Sequence, residues 1–320
     1  MTARVVRLRL KSPLSTPLDS GTVFGHLCWW VRLREGEEAL VRFLAEQEQA
    51  PFLVSSGIPS GYLPVPLLKP TSRANSRPEA GSVETRLANL DERKKLKRRL
   101  WLSVAAFLAE RSALDPTTLA AALLRDKPPV SGQDQRMAHN RIDRLTGTTP
   151  KQGGLYFLDE YWSSESKGDL WDIYVRGNWP ESRLAEAFDY LGEHGYGRDA
   201  SLGRGRFSVE LDLPAPGLFE YRGNRQLSLS HGVVSGNMTD VRYKVKTTFG
   251  KLGSAFAVTG APNKHPVTLL LPGTTFSGES DGPWGRLLTE MHPLRPEVVQ
   301  NAYHLAVPFS ESEMGADHGR

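Results

Sequence analysis

A chain of 320 residues, 39% hydrophobic and 24% charged, is long enough for roughly two globular domains, each with its own core. No apolar run approaches the roughly 20 residues that cross a bilayer, and the opening MTARVVRLRLKSP reads as an amphipathic strand without the layout of a secretory leader, so a cytoplasmic location is expected. The single cysteine, Cys28, excludes an internal disulfide and a cysteine-built metal knuckle, while the net charge of +4 permits an acidic partner without demanding one.

In RVVRLRLK, Val6, Leu8 and Leu10 alternate with Arg7, Arg9 and Lys11, the period of a half-buried strand with one greasy and one basic face. After PLSTPLDSG, Asp19 or Ser20 is placed to cap a helix carrying Phe24, Leu27, Cys28 and Val31 at three- and four-residue spacing. EEALVRFLAEQEQ predicts a second helix, and FLVSSG and YLPVPLL predict short extended pieces broken by Gly and Pro. Residues 70–90 are polar and read as an exposed insertion. Residues 91–125 read as helical, opening on the basic run RKKLKRR, whose ordinary explanation is a solvated face.

VSGQDQRMAHNRIDRLTGTTPKQGGLYFLDEYW has a polar, Gly-rich tip between extended flanks, so it predicts a long hairpin or protruding arm. LWDIYVRG is a strand; PESRLAEAFDYLGEHG is a helix with Pro at its start and Gly195 at its end; RFSVELDL is another strand. After the breaker PAPG, the last third shows extended segments and little helix. The expected fold is α+β: two ferredoxin-like (RRM-like) βαββαβ units, the second degenerate, with a helical insertion and a β-hairpin arm. The first domain is read as 1–213 with the insertion at about 70–165, and the second as 214–320, degenerate ferredoxin-like or antiparallel β.

Between the PESRLAEAFDYLGEHG helix and the strand RFSVELDL runs GYGRDASLGRGRFSV, Gly195 to Val209, with four glycines and three arginines. A dinucleotide site needs strand, glycine loop, then helix, because the helix N-terminus supplies the free amides and positive dipole. Here the order is helix, loop, strand, and neither G-x-G-x-x-G nor G-x-x-x-x-G-K-[ST] is present in the loop, so no cofactor is expected. Gly203, Arg204, Gly205 and Arg206 instead suit phosphates: small residues admit the backbone and guanidinium groups grip oxygens in forked pairs. A plain αβ connection with solvated arginines explains the same residues.

HNRIDRLTGTT joins Arg141 and Arg144 to a turn, with Ile142 and Leu145 able to pack or to wedge against bases; an ordinary hairpin tip is the alternative. FGKLGS, with Lys251, resembles a KH-type G-x-x-G clamp but lacks flanking KH helices. The histidines show no metal-ligand spacing, so no catalytic metal is expected. His26 lies off the apolar face of the first helix and has no recognisable partner for general-base work; a surface or RNA-contacting histidine is the simpler reading. The acidic pairs Asp169/Asp172 and Asp159/Glu160 flank strands and read as solvated ends.

LDSGTVFGHLCWW, NRIDRLTGTT…GGLYF and SLGRGRFSV, taken in order and spacing, resemble the RAMP superfamily of CRISPR systems, and within it the fourth subunit of the Csm-type, type III-A effector complex. Ser20, Thr22, Phe24 and Leu27 match that family's polar turn plus helix, and Ile142, Arg144, Thr146 and Gly147 its I-x-R-x-T-G element. The resemblance implies a non-catalytic subunit that binds the 5′ repeat-derived tag of the CRISPR RNA and docks the large polymerase-like subunit and a backbone RAMP subunit. RNA contacts are carried to Gly203, Arg204, Gly205 and Arg206, with Arg141 and Arg144; Ser20, His26 and Lys251 complete the candidates. His26 stands where related RAMP endonucleases place a catalytic histidine, so a metal-independent CRISPR-RNA-processing endoribonuclease is the alternative.

Overall fold

The strand predicted from RVVRLRL forms as β1 (Arg4–Leu10) at the middle of a sheet, and the alternation does set its faces. In the computed structural model the described residues are 3–70, 94–129, 132–163, 170–215, 217–258, 260–278 and 282–312. The insertion predicted at 70–90 therefore lies almost wholly outside them.

In chain order β1 is followed by α1 (Ser20–Glu35), α2 (Glu37–Glu46), β2 (Leu53–Val54), β3 (Ile58–Pro59) and β4 (Tyr62–Pro64). Next come β5 (Trp101–Ser103), α3 (Val104–Glu110), α4 (Pro116–Arg125), β6 (Gln133–Asn140), β7 (Leu155–Trp162), β8 (Leu170–Arg176), α5 (Glu181–His194) and β9 (Phe207–Pro214). The last third holds β10 (Arg225–Ser228), β11 (Thr239–Arg242), β12 (Val245–Thr248), β13 (Val267–Leu270), β14 (Thr275–Ser277), β15 (Trp284–Leu288), β16 (Gln300–His304) and β17 (Ala306–Phe309). This is a mixed helix-and-strand chain with several antiparallel sheets.

The central sheet runs β2–β8–β1–β9, with β3 also on β8, and each of these pairings is antiparallel. On one face Val6, Leu8, Ile173 and Val175 pack against Phe24, Leu27 and Val31 of α1, Phe43 of α2 and Leu184 and Phe188 of α5. A second core takes the opposite face: Val5, Leu53 and Tyr174 meet Leu102, Phe107 and Leu119 of the inserted segments and Leu227, Leu305 and Phe309 of the last third. The basic face of β1 is thus covered at Val5 and in part at Arg7, while Arg9 and Lys11 stay exposed. Arg7 turns to Asp172, Nε to Oδ1 2.7 Å, and Arg9 to Glu210, 3.0 Å. Asp172 is 3% exposed, so the expectation of a solvated strand end is corrected for it; a carboxylate under a second layer needs a cation, and Arg7 supplies one.

The helical reading of 91–125 also needs correction. Trp101–Ser103 pairs with Tyr62–Pro64 as a strand, because tertiary pairing overrides a weak local preference. The helices resume after real caps: the Ser103 hydroxyl accepts the Ala106 amide, and Asp115 and Thr118 form a reciprocal capping box ahead of Pro116. Arg99, at the end of the basic run, donates to the Leu123 and Asp126 carbonyls at the C-terminal end of α4. At α1 the predicted cap residue occupies the N-cap without bonding there: Asp19 makes no side-chain cap bond and instead faces Lys246 Nζ at 3.5 Å and His231 Nε2 at 3.7 Å.

The last third forms the sheet β11–β14–β10–β17 and two-stranded pairs β12–β13 and β15–β16. A buried polar seam joins it to the first part: the Ser20 hydroxyl accepts the His231 amide at 2.9 Å, Ser56 Oγ meets His231 Nδ1 at 2.9 Å, and Ser230 Oγ donates to the Val54 carbonyl at 2.9 Å.

Candidate nucleic-acid interface

The Gly195–Arg206 loop closes on itself and on the segment after β1. The Tyr196 amide donates to the Gly205 carbonyl at 3.0 Å, the Gly205 amide to the Pro13 carbonyl at 2.8 Å, and the Tyr196 hydroxyl to the Pro17 carbonyl at 2.9 Å. Gly203 and Gly205 adopt φ of +84° and +70°, the left-handed region where a side chain is strained. A Cβ on Gly205 would overlap the Tyr196 backbone, whereas one on Gly203 would meet nothing. The glycines therefore serve closure of the loop as much as access to it.

Its arginines are engaged. Arg204 Nε lies 2.9 Å from Glu160 Oε1 on β7, with the guanidinium 5.8 Å from the Trp162 ring centroid. Arg206 donates to the Glu193 carbonyl at the end of α5, a cation at a helix C-terminus, and stays exposed. Arg198 pairs with Asp199 at 3.3 Å. Glu160 is 1% exposed, so the solvated-end expectation is corrected here too: the strand alternation sets it on the face of Tyr156, Leu158 and Trp162, turned inward over the loop.

The predicted arm is present. β6 and β7 pair in register from Gln133↔Trp162 to Asn140↔Leu155 as a two-stranded sheet, joined to the body by the Leu14↔Tyr161 bridge. Tyr156 stacks on His139 at 5.4 Å, Arg136 lies 5.1 Å over Phe157, and Leu155, Tyr156 and Phe157 are exposed. At the tip, turns close through the Arg141 amide to the Gly154 carbonyl and the Leu145 amide to Asp143 Oδ1. Arg141, Ile142, Asp143, Arg144, Pro150 and Gln152 line a concavity of about 540 Å³. Arg141 and Arg144 are exposed, and among the described residues neither side chain makes an ion pair; Leu145 is 96% exposed.

The remaining candidates sit elsewhere. Ser20 is buried in the polar seam with its hydroxyl occupied. His26 accepts the Gly197 amide through Nε2 at 3.1 Å and lies against Tyr196, 4.8 Å between ring centroids; desolvation pushes its imidazole down to about 4, leaving it neutral with that lone pair engaged. Lys251 is exposed in a bridge with Asn263, next to Gly253 packed on Trp29, with strand and 3-10 segments around it in place of KH helices. Arg204, Gly205 and Arg206 thus stand beside the arm base, Arg141 and Arg144 at its tip, and Ser20 and Lys251 in other regions. The sequence reading missed the partnership of Glu160 with Arg204; the signal was a lone carboxylate on an otherwise aromatic and aliphatic strand face. Among the described residues no group of three or more His, Cys, Asp or Glu side chains is placed to hold a metal, and no helix is long and apolar enough to cross a membrane.

The whole architecture matches solved structures. A chain of a Csm1–Csm4 cassette crystallised in complex with pppApA aligns at TM-score 0.58 and 19% identity, covering 98% of this chain and 100% of that one. A chain of the Csm3–Csm4 subcomplex of the type III-A CRISPR-Cas interference complex aligns at TM-score 0.58 and 12% identity, covering 96% and 99%. No protein-family model and no curated protein matches the sequence. The chain therefore shares its fold with chains of type III-A CRISPR-Cas complexes. In fold it is Csm4-like.

Proposed function

We propose that this chain is a non-catalytic subunit of a type III-A CRISPR ribonucleoprotein complex, holding the 5′ repeat-derived tag of the CRISPR RNA and docking the large polymerase-like subunit and a backbone RAMP subunit. End-to-end likeness to chains of a Csm1–Csm4 cassette and a Csm3–Csm4 subcomplex supports the assembly. The observation that carries the RNA-binding part is the arm tip: exposed Arg141 and Arg144, without ion-pair partners among the described residues, flank a concavity at the end of a hairpin that exposes the rings of Tyr156 and Phe157. Cations that track a backbone beside rings that stack on bases are how single-stranded nucleic acid is held without a catalytic group.

The finer fold reading belongs to the same proposal. The order β2–β8–β1–β9, with α1 after β1 and α5 between β8 and β9, supports a ferredoxin-like first unit, and the antiparallel last third supports a degenerate second one. The occupied Nε2 of His26 favours the non-catalytic role over the endoribonuclease.

Tagged protein purified from its host should bring down both neighbouring subunits and RNAs that share one 5′ sequence; recovery of no such RNA overturns the proposal. Incubation of the purified chain with repeat RNA in EDTA should give no cleavage. Cleavage abolished by His26→Ala would replace the scaffold reading with the endoribonuclease.

A further inference from the structure

We infer that Arg204 is a positioning residue for the arm: tied to Glu160, it sets the angle of the hairpin to the body and leaves gripping of the RNA backbone to the tip. The inference deepens the proposed function and rests on it only for its RNA readout.

Glu160 stands near the base of β7 with its side chain wholly out of solvent, and a carboxylate removed from water must be paired. Arg204 is the near cation at 2.9 Å; His139 Nε2 approaches the same oxygen only to 3.8 Å. Among the described residues the other ties of the arm to the body include the two Leu14–Tyr161 backbone bonds of 3.0 and 2.9 Å, the Tyr161–Trp171 edge contact, and a 3.5 Å approach of Arg198 to the Asp159 carbonyl. From Tyr161 the paired strands run on to Leu155 opposite Asn140. At a strand rise of about 3.3 Å this lever is roughly 20 Å long, so a 10° change at the base moves its end by about 3–4 Å.

Arg204 is well held for this work. Its amide donates to the Asp199 carbonyl at 3.2 Å, and the neighbouring Gly203 amide to the Ala200 carbonyl at 3.0 Å, so the guanidinium stands on a stiff turn. A phosphate that took the guanidinium would leave Glu160 buried and uncompensated. An RNA contact drawn from Arg204 works against the fold, whereas Arg141 and Arg144 give up nothing when they bind.

Nitroxides at Leu145→Cys on the tip and Leu33→Cys on α1, both exposed positions, in a Cys28→Ala background, report the arm angle in the protein alone. The parent should give a narrow distance distribution. Arg204→Ala and Glu160→Gln should both broaden it or shift it by several ångström, while Arg204→Lys, which keeps the charge, should largely preserve it. An unchanged distribution in Arg204→Ala overturns the inference. Should Arg204→Ala fail to fold, the near-isosteric Glu160→Gln and Arg204→Lys carry the same test.

A single-stranded RNA oligonucleotide carrying the 5′ tag, titrated across salt concentrations, supplies the second arm. A positioning role predicts that Arg204→Ala and Glu160→Gln weaken binding alike with the salt slope unchanged. A direct grip predicts opposite signs: Arg204→Ala lowers the slope by about 0.7, one phosphate contact on a single strand, and Glu160→Gln, by freeing the arginine, tightens binding; that pattern overturns the inference. A parent protein that binds no RNA defeats the proposed function, and the spin-label distances still decide the role of Arg204.

Discussion

Gly205 and Tyr196 meet backbone to backbone: the Tyr196 amide donates to the Gly205 carbonyl at 3.0 Å, and Gly205 holds φ at +70° with its missing side chain directed into the Tyr196 peptide. Two penalties coincide for any substituent there. Left-handed backbone costs an L-residue about 1–2 kcal/mol, and forcing a methyl into packed backbone adds about 1–3 kcal/mol. Gly205→Ala should therefore lower unfolding free energy by about 2–5 kcal/mol. Gly203→Ala, strained at φ +84° but facing open space, should lose only about 1–2 kcal/mol. Urea midpoints of the two variants check this; equal losses would mean that closure against Tyr196 contributes nothing.

Ser20 tests the polar seam. Its hydroxyl is buried and accepts the His231 amide at 2.9 Å, so Ser20→Ala strands a buried N–H. The expected loss is about 1–3 kcal/mol of stability, with RNA affinity of the folded protein unchanged. Thermal melts and a binding titration on the same preparation separate the two. Weakened binding at unaltered stability would return Ser20 to the interface.

These residues show which parts of the structure were legible in the sequence. β1 and the helix after β8 were readable because their signals are local: strict alternation in one, Pro180 and Gly195 at the ends of the other. The arm was readable because both flanks of one turn are extended. Asp19 was misread as a capping side chain because its partners, Lys246 and His231, lie in the last third of the chain. Asp172 and Glu160 were misread as solvated ends for the same reason: their arginines are 165 and 44 residues away in sequence. A charge near a strand end reads as solvated until a second layer covers it, and that layer comes from elsewhere in the chain. Arg204 is the other half of the Glu160 pair, and on the inference drawn above the loop supports the arm through it.

Acid should weaken the fold in a defined window. His26 and His304 are pushed down to about 4 by desolvation, and burial also lowers His231 despite the nearby Asp19 carboxylate. In the unfolded chain such groups titrate near 6.5. Between the two values the unfolded state binds more protons, so stability falls as pH drops from about 6.5 toward 4 and levels off below that. For His304, wholly buried between Ser228 and the Val233 carbonyl, the full effect is about 3 kcal/mol. Urea midpoints between pH 6.5 and 5, above the ordinary carboxylate range, isolate the histidines. His26→Gln should reduce the slope of unfolding free energy against pH by up to about one proton. A parent protein with no slope in that window would mean these rings are hydrated in solution.

The tip arginines are the sharpest test of RNA binding because, among the described residues, their side chains hold no ion pair of the fold. Arg141 and Arg144 are exposed and, among the described residues, pair with no carboxylate, so Arg141→Ala/Arg144→Ala should leave stability within about 0.5 kcal/mol of the parent. If each arginine neutralises one phosphate of a single-stranded tag, removing both lowers the log–log salt slope by about 1.4. The affinity difference should then shrink as salt rises, since the lost term is counterion release and not shape. Titrating tag RNA against parent and double variant from low to high salt reads both the slope and the convergence. A parallel displacement of the two lines, with equal slopes, would show that the arginines do not touch the backbone and would move the RNA contact to the exposed rings of β7, where Tyr156 and Phe157 offer stacking that salt does not screen.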